Sequence, residues 1–242
     1  MKKVITILAL CLFGMAAYSQ SNEGLSLTSE PQKFFSFEAF YGPSKYLYTG
    51  DDTINFPEDK NKFKQIGLVI SNNNPLSKKI NLYLNWGVGF VFSQYKDEEK
   101  IDFKDPNGVS HPNMERSTEF LYFSTFLKAN VGYLFKIPNT TVAFFPYVGI
   151  YGRVHIGGKC YYNFPDVDFE KHEIYQHKTD YSLFTESADN PNPWNRMEFG
   201  PNIGINAYFG SFMVGAAYGK TMNDLTKDTR VSEIRLSAGL RF

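Results

Sequence analysis

From residue 79 to residue 93 the side chains alternate between two faces of an extended chain. Ile80, Leu82, Leu84, Trp86, Val88, Phe90 and Phe92 fall on one face. Asn81, Tyr83, Asn85, Gly87, Gly89, Val91 and Ser93 fall on the other. A period of two is the signature of a strand with unlike faces. Seven further segments share it, so the pattern predicts eight strands, at approximately 33–46, 62–71, 79–93, 118–136, 141–156, 196–209, 211–221 and 230–242. Helical periodicity is scarce, and no segment past the N-terminal region carries the 18 or so consecutive apolar residues of a membrane helix.

The apolar faces are long and unbroken, while the opposite faces mix glycine with charge. A sandwich would turn its apolar faces toward a second sheet. A closed barrel with lipid outside and a polar lumen fits the pattern better. The connections alternate in length, with turns at 72–78, 138–139 and 210–211 and longer stretches at 47–61, 94–117, 157–195 and 222–229. Short inner turns opposite longer outer loops belong to bacterial barrels. The predicted fold is all-β, an eight-stranded antiparallel transmembrane β-barrel over 33–242, with 20–32 as a periplasmic tail. Pro146 and Pro201 interrupt two strands, so a bulge or a strand start is expected at each. Ile66, Leu68, Leu84, Val88, Leu127, Val131, Val148, Ile150, Leu236 and Leu240 should face lipid.

Composition agrees. Aromatic residues make up 17% and the mean hydropathy is −0.33, a combination closed to a helical membrane protein. Twenty-five basic and 25 acidic residues cancel, which leaves no electrostatic footprint for nucleic acid. Lys2 and Lys3, the apolar run Val4–Ala17 and the small-residue site Ala17-Tyr18-Ser19 read as a secretory signal cleaved after residue 19. That removes Cys11 and leaves Cys160 alone, so no internal disulfide can form; it is expected to be an unpaired loop cysteine. In the last segment Ile234, Leu236, Ala238, Leu240 and Phe242 alternate with Glu233, Arg235, Ser237, Gly239 and Arg241. Phe242 resembles the terminal aromatic signal by which outer-membrane barrels engage their assembly machinery.

Four stretches resemble the small outer-membrane β-barrel family that includes PorT-like proteins. They are Phe120–Lys128, with Tyr122 and Ser124 where the family has Glu and Pro, then Pro146–Gly152, Tyr218–Asn223 and Gly239–Phe242. The resemblance implies an eight-stranded barrel in the cell outer membrane and no shared enzymatic activity.

With the apolar faces on lipid, the lumen would hold Glu38, Gln65, Asn85, Lys128, Asn130, Arg153, Glu198, Asn202, Glu233, Arg235 and Arg241. Eight strands enclose barely enough room for side chains, which argues against a pore. Unpaired charges there would be costly. Glu38 and Glu198 are therefore expected to offset Lys128, Arg153 and Arg235 in a polar network that includes Glu233. His172-Glu173 with His177 has one residue too many for the helical zinc-protease spacing. His155 shares a face with Arg153, but the sequence places no Ser or Asp beside it. No catalytic residue, metal or cofactor is assigned. The 157–195 stretch holds eight aromatics that could bind an envelope or extracellular protein, or pack on one another above the rim. The expected role is structural or partner-binding, in contact with outer-membrane lipid. The alternatives are an accessory part of a secretion or envelope-assembly machine and a lipid-modifying enzyme.

Overall fold

The computed structural model describes residues 31–48, 62–105, 107–168, 173–188, 190–226 and 228–242. The expected signal peptide and all but the last two residues of the expected tail lie outside them. Ten antiparallel strands form one sheet: β1 (Phe34–Tyr48), β2 (Lys62–Pro75), β3 (Leu82–Lys104), β4 (Ser110–Tyr133), β5 (Phe135–Lys136), β6 (Val142–Asp168), β7 (Glu173–Ser182), β8 (Met197–Phe209), β9 (Phe212–Lys220) and β10 (Thr229–Arg241).

Eight of these close on themselves. β1 pairs with β2 and β10, β4 pairs with β3 and β6, and β8 links β6 to β9. Phe35 and Phe242 exchange backbone hydrogen bonds of 3.1 and 2.9 Å at the seam. β5 and β7 both attach to β6.

The stagger of the ring can be read from its pairings. Phe34 faces Asn73, then Asn85, Asn130, Gly149, Asn202, Gly219, Glu233 and finally Ser44. The circuit returns to β1 ten residues from its start. With a rise of ~3.3 Å and strands ~4.8 Å apart, that shear tilts the strands by ~40° and gives a ring ~16 Å across. Side chains from opposite walls then fill the interior.

Parity decides which side each residue takes. On β3 the odd positions Tyr83, Asn85, Val91 and Ser93 are buried, while Trp86, Val88, Phe90 and Phe92 are exposed. Among the expected outward residues, Val148, Ile150 and Leu236 are more than half exposed. Leu240 departs from the expectation at 3% exposure. It keeps outward parity, but its register neighbours Phe37 and Phe212 are large rings on the same face and cover it.

Two expectations are corrected. Pro146 and Pro201 cause no register break; both lie inside an uninterrupted β6–β8 ladder. Pro146 stands one residue past the last β4–β6 pair and Pro201 one past the last β8–β9 pair. A donor missing on that side removes no ladder bond. The register shift instead falls at Ile156, between the pairs Ser124–His155 and Phe123–Gly157. Second, the stretches expected as loops at 94–117 and 157–195 are largely strand. β3 and β4 continue as a hairpin, and β6 continues into a hairpin with β7, so four strands in the order β3-β4-β6-β7 project past one end. Beyond the aromatic cap this part meets water, so hydrophobic alternation gives way. Cross-strand charges replace it: Lys96 faces Glu119, Lys100 faces Glu115, and Arg116 lies 3.6 Å from Glu99.

The tip of the β3–β4 hairpin is a tight turn. Asp105 Oδ1 accepts from the Val109 and Asn107 amides at 2.8 and 3.0 Å, and Gly108 takes φ +82°, a conformation suited to glycine. The Val109 amide first, then His111, hold the Asp105 carboxyl below its usual range.

Interior glycines let neighbouring strands approach. A methyl group on Gly89 would run into the Leu68 carbonyl oxygen and Val69, whereas one on Gly157 would meet nothing within 4 Å. Gly89→Ala should therefore cost ~1–3 kcal/mol by overpacking, and Gly157→Ala should stay within ~0.5 kcal/mol of the parent. Urea midpoints of the detergent-folded variants measure the difference. Equal midpoints would contradict the close β2–β3 approach.

Candidate functional site

The interior is layered. At the end with short connections, Phe34, Tyr83, Leu134, Phe145, Tyr147, Tyr208 and Met213 form an apolar floor. The Arg241 guanidinium lies 4.2 Å from the Phe34 ring and 5.4 Å from that of Tyr208. Above it, an asparagine ladder crosses three strands. Asn85 donates to Asn73 at 2.8 Å and Asn130 donates to Asn85 at 3.1 Å. Next comes the ion pair of Lys128 and Glu38, whose Oε1 also accepts from Ser71 Oγ at 3.5 Å. A cavity of about 20 Å³ lies beside this pair. An apolar layer of Phe40, Val69, Val91, Phe126 and Tyr151 follows.

The upper polar layer is centred on Arg153. Its side chain is wholly buried, pairs with Glu233, donates to Gln65 Oε1 at 2.9 Å and reaches Glu198 Oε2 at 3.5 Å. Arg235 Nε lies 3.4 Å from Glu233 Oε1, with its guanidinium 4.7 Å from the Phe126 ring. Arg153 also donates to Glu198 Oε2, whereas the Arg235–Glu233 contact is an ion pair without a hydrogen bond, so among the described residues Arg235 Nε and Glu233 Oε1 have no hydrogen-bond partner.

All eleven residues placed in the lumen by parity are buried, at 9% exposure or less. Glu38 meets Lys128 and Glu198 meets Arg153. Arg235 differs from the expectation, because its anion is Glu233, two residues away on its own strand and face. Among the described residues the interior buries three carboxylates and four basic groups: Glu38, Glu198 and Glu233 with Lys128, Arg153, Arg235 and Arg241. The aromatic faces around Arg235 and Arg241 take part of that excess.

Sequence reasoning missed one constellation. Ser124 Oγ lies 2.7 Å from His155 Nδ1, and His155 Nε2 lies 3.7 Å from Glu198 Oε1. The three come from β4, β6 and β8, neighbours in the ring. Ser124 shares the interior parity of Lys128, which was a visible signal, but its position opposite His155 needed the β4–β6 register. These are the residue types of a hydrolytic triad. The surroundings oppose that use. Ser124 and His155 are at most 1% exposed, and the imidazole is stacked on Phe184 at 5.1 Å and edged by Tyr122 at 5.2 Å. A nucleophile must reach its substrate, and this hydroxyl is buried; of the trio's two contacts, Ser124 to His155 is a hydrogen bond and His155 to Glu198 is not.

The segment between β7 and β8 closes the mouth above it. Leu183 and Phe184, with the partly buried Trp194, pack on Phe63, Tyr122 and Cys160. Asn190 pins this cap by donating to the carbonyls of Ser182, Leu183 and Thr185. The expectation of a loop cysteine is corrected: Cys160 is on β6, 2% exposed, and burial pushes its thiol pKa up. Of the aromatics expected in the 157–195 stretch, Tyr162, Phe164, Tyr181, Phe184 and Trp194 pack against the cap or one another, Tyr161 and Tyr175 stay 42% and 44% exposed, and Phe169 lies outside the described residues. Glu173 and His177 belong to strand β7, and His172 lies outside the described residues. Among the described residues no three His, Cys, Asp or Glu side chains converge for a metal.

No protein-family description matches the sequence, and no curated protein does. Solved structures similar to the chain include Ail, the attachment invasion locus protein of Yersinia pestis, in complex with the heparin analogue sucrose octasulfate. It is 15% identical, covers 87% of this chain and 99% of its own, and has a TM-score of 0.38. Neisserial surface protein A is 15% identical over 86% of this chain and 95% of its own, with a TM-score of 0.38. The N-terminal β-barrel domain of Pseudomonas aeruginosa OprF is 11% identical over 87% and 100%, with a TM-score of 0.32.

Proposed function

We propose that this chain is an integral β-barrel protein of the bacterial outer membrane, not an open pore, with a structural or partner-binding role carried by its outer hairpins. One observation carries the reading: a belt of bilayer height around the ring. On β3 the outward positions from Leu82 to Phe92 are all apolar, ten residue steps. At ~3.3 Å per residue and ~40° of tilt they rise ~25 Å, the height of the lipid-facing band of such barrels. Across the other seven strands of the ring, the outward positions at this level carry a single charged side chain, Lys220 of β9, at the upper edge. Exposed aromatics gather at both edges: Phe35, Phe135, Phe144, Phe209, Phe212 and Phe242 at one, and Tyr41, Phe92, Phe123, Phe199 and Tyr218 at the other. Water would not tolerate so large an apolar patch on a monomer.

The layered interior and the aromatic cap argue against conduction, and the sealed Ser124 argues against catalysis. The motifs shared with PorT-like proteins lie on β4, β6, β9 and β10, which supports the family reading. The projecting sheet offers the partner surface. Phe242 joins the aromatic edge and serves as the assembly signal.

Expressed in a Gram-negative host, the protein should fractionate with the outer membrane and migrate anomalously on gels until heated. Recovery in the soluble periplasmic fraction would overturn the reading. Deleting Phe242 should lower the inserted amount; undiminished insertion would remove its role in assembly.

A further inference from the structure

The projecting sheet has an outer face as well as an inner one. Its inner face is taken up by the aromatic cap. On its outer face lies a recess of about 200 Å³. All four strands line it: Lys96 from β3, Glu119 from β4, Tyr161 and Asn163 from β6, and Lys178 and Asp180 from β7. The register places them together, because Lys96 faces Glu119, Glu119 faces Tyr161, Tyr161 faces Asp180, and Asn163 faces Lys178. We propose that this recess binds a neutral saccharide.

The chemistry of the lining selects that ligand class. Two ammonium groups and two carboxylates balance, so neither an anion nor a cation gains a net attraction. Carboxylates accept and ammoniums donate, which suits neighbouring hydroxyls that each do both. Ser117, on the same face as Glu119, adds a hydroxyl of the same double character. The Tyr161 ring, 42% exposed, offers an apolar plate against which the C–H face of a sugar can lie. Asn163 Oδ1 is buried and has no hydrogen-bond partner among the described residues. A buried acceptor without a partner calls for one, and a sugar hydroxyl is a fitting donor.

The walls are also held in place before any ligand arrives. Gln94 donates to Glu119 Oε1 at 2.7 Å, Lys159 pairs with Asp180 at 2.7 Å, and Lys96 pairs with Glu98. Each carboxylate keeps lone pairs free for a ligand. Such preorganisation lowers the ordering cost of binding.

The location agrees with the chemistry. Glu119 is two residues past Leu121, the last outward apolar position of β4 before charge begins. At ~3.3 Å per residue and ~40° of tilt, the recess opens ~5 Å above Leu121, beyond the belt. On the outer-membrane reading, that is the layer of glycolipid sugars. Only the ligand's source rests on that reading, since the recess can be tested on the protein in detergent.

The experiment is to fold the full chain in detergent and present it to an array of neutral and acidic oligosaccharides, then to titrate the strongest ligand by calorimetry. Neutral sugars should bind, and Tyr161→Ala and Asn163→Ala should each weaken binding at least tenfold while heat-dependent gel migration is unchanged. Tyr175→Ala, on the same hairpin away from the recess, should bind as the parent does. Nanodiscs of full-length lipopolysaccharide against nanodiscs of lipid A alone separate a membrane glycolipid from a free glycan. No binding at millimolar sugar would overturn the proposal. So would binding that both recess variants retain, or binding that follows phosphate or sulfate whatever the sugar. A protein that bound sugar but fractionated as soluble would defeat the membrane reading and leave this one standing.

Discussion

Arg153→Met is expected to destabilise the folded chain by ~3–5 kcal/mol, because it strands two carboxylates in a dry interior. Glu198 and Glu233 both rely on this guanidinium, and both are about 1% exposed. Glu233 retains Arg235 at 3.4 Å, whereas among the described residues Glu198 is left only with the His155 imidazole at 3.7 Å. The double variant Arg153→Met/Glu198→Gln should therefore recover part of the loss, since it removes the more isolated charge along with its partner. Lys159→Met provides the contrast. Its ion pair with Asp180 is about half exposed on both sides, and such pairs contribute ~0–1 kcal/mol. Urea unfolding from detergent, followed by tryptophan fluorescence, gives all four midpoints. A loss below ~1 kcal/mol for Arg153→Met would mean that water reaches the layer, and the interior could not be described as sealed.

Facing was legible in the sequence because a strand has only two faces. Once Leu84 and Trp86 are assigned outward, Asn85 must point inward, and the same parity carries Glu38, Lys128 and Arg153 into the lumen. Depth was not legible, because parity says nothing of height along the axis. Arg235 illustrates this: an anion from another strand was expected, yet Glu233 lies on the same strand two residues away. Ser124 shows the same limit, since only the pairing of β4 with β6 reveals that it meets His155. Past the belt the hydrophobic signal itself ends. Residues 96–104 alternate in charge rather than in hydropathy, so the sequence pattern ends β3 and β4 early and reads a hairpin as a loop. Cys160 was placed in that supposed loop for the same reason.

Exposure by itself cannot distinguish a lipid-facing residue from a wetted one, and two exposed aliphatic positions separate them. Ile150 is 64% exposed in the middle of the belt, and Val109 is 53% exposed at the β3–β4 tip. In water the two positions would tolerate arginine about equally, with changes near ~0.5 kcal/mol. In a bilayer they part company. Arginine at the midplane of a barrel's lipid face costs ~2–4 kcal/mol, falling toward zero near the interface. Ile150→Arg should therefore lower folding stability in lipid vesicles by that amount, and Val109→Arg should leave it unchanged. Ile156→Arg, at the upper edge of the belt on the same strand and 54% exposed, should fall between them because its guanidinium can reach the headgroups. That graded order, with depth and not exposure setting the penalty, is what a membrane-spanning ring requires. Equal effects at Ile150 and Val109 would mean that the apolar belt is covered by something other than lipid.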